Sequence, residues 1–331
     1  MFGRIAFFLT VVYMVFNITL LRWAAEKQPF IFFEDEEYFN ETLWKLLKPR
    51  YVGSQGHSEV SDFIEKELQY LGFNTIRYDF HEGASFTNLV GFWNMEAEHF
   101  LVLTCHYDSK MPKDLNKEKE FHSATEGAVS CAILLNVAKN LQQYLGEQVA
   151  KKSDMGLALI FFDGHNSVTS KDEDRLTGVR HFIETDVIPL QNIGVVLTLS
   201  YIGAPNQIFM SYFESTNDLH HLLTDIEKEL RKSGQLTDCH VLFHNEKRYD
   251  HDILDDHILF SELGVAVLHL APQELPKVLY TAADNVDNLH YPTIRNMIKI
   301  IRKLVYDFLE QWDSYANMKD TFSAYYDLDD Y

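Results

Sequence analysis

Four stretches of this chain are apolar at nearly every position: HFLVLTCH (99–106), GLALIFF (156–162), IGVVLTL (193–199) and VAVLHLA (265–271). A strand with one wet face alternates apolar and polar residues, whereas a strand without that alternation needs cover on both faces. The cover is present in the sequence. HSEVSDFIEKELQYLGF (57–73) has helical spacing and stops at Gly72, and further helices are expected over 127–145, 173–187, 216–233, 255–263 and 291–312. Doubly apolar strands separated by amphipathic helices give a largely parallel sheet coated on each side. Apolar residues make up 46% of the 331, enough for one large core.

In such folds the ligand site lies beyond the carboxyl ends of the strands. Those ends deliver His106 and Asp108, then Asp163, His165 and Asn166, then Ser200 and Tyr201, then His269, with Tyr280 in the following loop. The loop before the helix at 127 adds Thr125 and Glu126, and all of these are expected to ring one crevice. The formal charge of −20, with no basic run, excludes a nucleic-acid binder and favours neutral or cationic partners.

The N-terminus reads as a targeting segment. Arg4 precedes a run from Ile5 to Leu21 with few polar residues and no polar face, followed by Arg22 and Trp23. Such a run spans roughly 25 Å as a helix, which suits the thinner early secretory membranes. Residues 1–25 are therefore expected to be an uncleaved signal anchor, or else a cleaved signal peptide, and the membrane is met only through this segment. Localisation follows as the secretory pathway: Golgi or ER membrane if anchored, secreted if cleaved. Asn40-Glu41-Thr42, in an acidic linker over 26–44, is a glycosylation acceptor by pattern. Cys105 ends one expected strand and Cys131 lies in the next helix, so a disulfide between them is within reach, while Cys239 reads as a buried thiol. The tail 313–331, rich in acids and tyrosines, lacks apolar periodicity and reads as disordered. Its AYYDLDDY stretch is of the kind secretory sulfation uses.

At the loops, TCHYDSK, SATEGAVSCA, LIFFDG, SYIGAPN, LDDHILF, GVAVLHLAP and TAADNVDNL occur in the same order as in the glutaminyl-peptide cyclotransferases, relatives of the zinc aminopeptidases, and the chain resembles that family over about 45–312. The resemblance implies a three-layer α/β sandwich around a mostly parallel, mixed central sheet, and a Cys105–Cys131 disulfide. It implies one zinc, held at the positions of Glu126, Asn166 and Tyr280, and a proton shuttle at the position of His165. The family's acid before IGAPN falls on Ser200 and its pocket tryptophan on Leu279. Asp255, Asp256 and His269 match the family's residues.

Glu126 alone of the three ligand positions is a good zinc donor, since an amide oxygen is weak and a phenol must first lose its proton. Zinc is thus expected to bind weakly or not at all. The expected function is a cyclotransferase-like secretory pseudoenzyme that binds peptide N-termini, including N-terminal Gln, or a secretory protein partner, as a monomer. The alternative is an active cyclotransferase converting N-terminal Gln to pyroglutamate with release of ammonia. Two further readings are a metal site rebuilt from His106, Glu126, His165 and Tyr280, and a two-metal aminopeptidase, which would want an acid at Ser200 and a histidine at Tyr280. A third class is a tethered interaction protein acting through its tail.

Overall fold

The computed structural model describes residues 34–150, 153–166, 168, 175–250 and 253–311. The expected targeting segment and the acidic tail lie outside them. Among the described residues no helix is long and apolar enough to cross a membrane.

Three strands are buried almost end to end: β3 (His99–His106), β4 (Met155–Phe162) and β5 (Ile193–Leu199). With β1 (Asn74–His81), β2 (Ser85–Trp93) and β8 (Val267–Leu270) they form a six-stranded sheet in the order β1-β2-β4-β3-β5-β8. Strands β4, β3, β5 and β8 run parallel, and Leu101 pairs with both Leu157 and Val195. The β1–β2 hairpin is antiparallel and joins the sheet through an antiparallel β2–β4 ladder, which makes the sheet mixed. Its turn is Gly83, at φ +71, where a side chain would be strained. A separate two-stranded sheet pairs β6 (Phe209–Ser211) with β7 (Phe243–Lys247).

Helices cover both faces. The face carrying Val102, Ile160 and Val196 packs against Phe182 of α4 (Thr177–Glu184) and Phe260 of α6 (His257–Glu262). Side chains alternate across a strand, so Cys105 points to the opposite face, where it meets Cys131 of α3 (Val129–Ala150). Helix α3 packs on α1 (Glu36–Leu46) and on α7 (Tyr291–Glu310), which in turn packs on α5 (Asn217–Lys232). Helix α2 (Gln55–Tyr70), capped by the Ser54 hydroxyl on the His57 N–H, covers the hairpin.

Two expectations are revised, the linker over 36–44 and the buried Cys239, and two further sites are located. Residues 36–44 are not linker: they belong to α1, whose Phe39, Leu43 and Leu46 are core. The Asn40 acceptor therefore sits within a helix, with Thr42 buried. Cys239 is exposed, because the loop after α5 runs along the surface. Cys105 and Cys131 meet as expected, their sulfurs 2.8 Å apart, with no disulfide formed between them in this structure.

Candidate functional site

Strand β4 runs into Asp163, and this carboxylate belongs to the scaffold rather than to the crevice expected of it. Its Oδ1 is bonded to His57 Nε2 and to the Gly164 N–H, each at 2.8 Å, while Oδ2 accepts the Thr87 N–H at 2.7 Å and the Tyr107 hydroxyl at 3.0 Å. Asp163 thus ties α2 and the ends of β2, β3 and β4 together. The chain then turns at Gly164, φ +63. The next two N–H groups, of His165 and Asn166, donate to the two oxygens of Asp108 at 3.1 and 3.0 Å. Burial alone would raise the Asp108 pKa, but its contacts with His106 and these N–H groups hold it well below the usual carboxylate range.

Glu126 is presented by a different device. Ser123 takes a left-handed backbone, φ +47, and opens a π-helical turn, Ala124–Ala128, ahead of α3. Asp284 clamps that turn by accepting the N–H groups of Thr125 and Glu126 at 2.7 and 3.2 Å. Burial pushes the Asp284 carboxyl up to about 6, against the two N–H groups that hold it down. The buried Arg50 guanidinium donates to the carbonyls of Leu46, Lys48, Tyr107, His122 and Ser123, fixing the approach to the turn. Glu126 Oε1 then accepts the Lys110 N–H at 2.8 Å and the Asn166 side-chain amide at 3.0 Å, while Oε2, also buried, has no partner among the described residues.

His165 is fully buried, its ring stacked on that of His106 with centroids 3.9 Å apart. Its Nδ1 faces Asp256 Oδ1 at 3.3 Å and Asp255 Oδ1 at 3.5 Å. Its Nε2 faces the Arg175 guanidinium at 3.4 Å and the Tyr201 hydroxyl at 3.5 Å. These neighbours assign the ring proton to Nδ1 and the lone pair to Nε2, because a guanidinium only donates. Asp255 also accepts from His269 Nε2 at 3.0 Å and from the Asp256 N–H at 2.7 Å. Burial opposes its ionisation, but the surrounding histidines hold it well below the carboxylate range. Ser200 is buried and its hydroxyl has no partner among the described residues.

Tyr280 lies at the solvent side, 38% exposed, with the Lys110 ammonium 4.5 Å above its ring. Burial of the hydroxyl end and the charge of Glu126 raise its pKa to about 12, although the Tyr201 hydrogen bond and Arg175 pull the other way. It is a neutral phenol at physiological pH.

Glu126, Asn166 and Tyr280 do not fit zinc as a donor set. The Asn166 side-chain nitrogen donates both to Asp108 Oδ2 at 3.1 Å and to Glu126 Oε1 at 3.0 Å. The reverse amide orientation would set its oxygen between two carboxylates, so the nitrogen, which cannot ligate, faces Glu126. The alternative set with His106 and His165 is not assembled either. Among the described residues, buried donors converge only as His165–Asp255–Asp256 and Asp255–His257–His269, and Asp255 is common to both. There Asp255 is already bonded to His269 and the Asp256 N–H. Asp108, Glu126 and Asn166 are joined by hydrogen bonds, and His106, His165, Tyr201 and Asp255 are in contact, with His269 bonded to Asp255. Asp108 and Asp284 as clamps, and Arg50 and Arg175 as cations, were not assigned roles from sequence. Asp284 stood within the TAADN landmark, whereas nothing local marked either arginine.

The model of Peptidase family M28 matches residues 88–305. A glutaminyl-peptide cyclotransferase of Drosophila melanogaster is 34% identical over 294 residues, covering 83% of this chain and 81% of that relative. One from Gloydius blomhoffii is 34% identical over 297 residues, covering 81% and 79%. Among solved structures, the Macrostomum lignano glutaminyl cyclase superposes with a TM-score of 0.76 at 25% identity, covering 84% of this chain and 90% of that one. A leucine aminopeptidase precursor from Bacteroides thetaiotaomicron shares the fold, with a TM-score of 0.65 at 18% identity and coverage of 82% and 97%. The strand-end constellation, the mixed sheet and these likenesses agree, and the chain belongs to peptidase family M28, among its glutaminyl-peptide cyclotransferase-like members.

Proposed function

We propose that this protein is a cyclotransferase-like member of the secretory pathway that has lost zinc-dependent turnover and acts by binding a peptide end or a protein partner. One observation carries the reading: the Asn166 amide bonds Asp108 and Glu126 simultaneously, at 3.1 and 3.0 Å. An N–H donor between two carboxylates supplies by hydrogen bonding the positive field that a cation would otherwise give them. The neutral Tyr280 phenol adds no strong ligand, and the His165 imidazole has its Nδ1 turned to Asp255 and Asp256. A disulfide between Cys105 and Cys131, formed in an oxidising compartment, and a glycan at Asn40 accompany this secretory reading.

A second reading is favoured by the orientation of His165. An imidazole backed by carboxylates on Nδ1, with its Nε2 lone pair turned to the Tyr201 hydroxyl and Arg175, is arranged to carry a proton, as an active cyclotransferase forming pyroglutamate from N-terminal Gln requires.

Elemental mass spectrometry of the chain, expressed through a secretory route with zinc supplied, tests the choice. The expected metal-to-protein ratio is near zero, with no ammonia released from a peptide beginning in Gln. A ratio near one together with turnover overturns the leading reading and establishes the second.

A further inference from the structure

Among the described residues, the groups at the solvent side of the site are donors. Arg175 is half-buried, and its guanidinium has His165 Nε2, at 3.4 Å, as its side-chain contact; no carboxylate of a described residue pairs with it. Lys110 is exposed and sits over the Tyr280 ring at 4.5 Å, with no carboxylate partner among the described residues. Tyr280, a neutral phenol, lies beside Tyr201 and Arg175 on the same side.

The acids lie behind this rim and are largely engaged. Asp108 is bonded to the two backbone N–H groups and the amide of 165–166, and Asp255 to His269 and the Asp256 N–H. Asp256 faces Nδ1, the far side of the His165 ring. Glu126 Oε1 is doubly bonded, and Oε2, though unpartnered, is buried. Among the described residues, an incoming ligand thus meets a guanidinium, an ammonium and a phenol before it meets a carboxylate.

We propose that this face of the site binds a carboxylate, held by Arg175 and seconded by the Tyr280 hydroxyl and Lys110, rather than the ammonium of a peptide N-terminus. The proposal rests on the non-catalytic reading above and names the ligand class for it. A guanidinium that is partly desolvated and has no carboxylate partner among the described residues is matched by a carboxylate, whose two oxygens accept its paired N–H groups. That preference runs against the molecule's net charge of −20, from which cationic partners would be expected, because the rim and not the total charge faces the ligand. The carboxylate of a peptide C-terminus and that of an acidic side chain share this chemistry.

Calorimetric titration of the full secreted chain decides it, using three N-acetylated peptides of one sequence. The first has a free C-terminus, the second a C-terminal amide, and the third a C-terminal amide with one internal Glu. The first peptide, the third or both are expected to bind at least tenfold tighter than the second, and the better of the two identifies the source of the carboxylate. Arg175→Gln is expected to abolish the preference and Arg175→Lys to retain part of it, with thermal midpoints unchanged. Equal binding of all three peptides, no binding at millimolar concentration, an unaffected Arg175→Gln variant, or tighter binding of an amidated peptide with a free N-terminus each overturns the proposal. Metal content measured on the same preparation separates this outcome from failure of the non-catalytic reading, which a ratio near one would signal.

Discussion

At position 166 one side chain decides how two acids are neutralised. Asn166 holds Asp108 Oδ2 and Glu126 Oε1 through a single amide nitrogen. Asn166→Asp, nearly isosteric, would place a third carboxylate there. Breaking a buried charge arrangement in this way costs about 3–5 kcal/mol unless a cation enters. The expected outcome is a variant with a depressed melting temperature in chelator and a rise on adding zinc, while the parent chain melts at the same temperature in both. Scanning calorimetry with and without zinc checks this, and a variant that zinc does not rescue would show that the remaining oxygens cannot converge. Arg50 shows how far from the site its geometry begins: its five carbonyl partners come from three segments separated in sequence.

At the level of elements, the site hangs on how close α4 approaches the end of β4. A Cβ added at Gly178 would lie 2.0 Å from the Asp163 carbonyl oxygen and 2.6 Å from Asn88 Oδ1. The same neighbours are bonded through Asn88, whose amide donates to the Gly178 carbonyl at 2.7 Å and whose oxygen accepts the Asp163 N–H at 3.1 Å. Gly178→Ala must push the helix off the strand, an overpacking expected to cost on the order of 3 kcal/mol. Denaturant unfolding measures it, and the loss should exceed that of an alanine at Gly146 in α3, where nothing lies within 4 Å. Helix α4 begins at Thr177, after a left-handed Leu176 at φ +60, rather than at 173 as the apolar spacing predicts. The start is set by this docking, which spacing along the helix does not encode. The β1–β2 hairpin, by contrast, is encoded locally, in the alternation of TIRYDF and the Glu82-Gly83 turn.

Across the whole molecule, several acids and histidines are buried together, and stability should follow their titration. Burial alone would lower the His106 pKa, but the hydrogen bond and charge of Asp108, with the charges of Asp256 and Asp255, raise it to about 10. The unfolded value is about 6.5, so the folded state holds the extra proton in between. The stabilisation from His106 is complete below about pH 6.5 and is lost as pH rises through about 10. Chemical unfolding between pH 7 and 10.5 is expected to show falling stability, and His106→Gln to flatten that slope. A parent chain equally stable across the range would mean that His106 is neutral in the fold.

The sequence by itself determined the α/β sandwich, because doubly apolar strands have no other stable environment, and it determined which residues the strand ends deliver. Family membership was legible for the same reason: the motifs sit at those ends. Glu126, His165, Asn166, Ser200, His269 and Tyr280 could be listed from position alone, and Asp255 from the family resemblance. Tertiary structure decided what each one touches. It turned Asp163 away to His57 and Thr87, it brought Asp284 under a turn more than 150 residues earlier in the chain, and it set Arg175 beside His165. Strand periodicity fixes which face a side chain takes, but hydrogen bonds between distant segments depend on loop paths and helix docking, and those are settled only when the core closes.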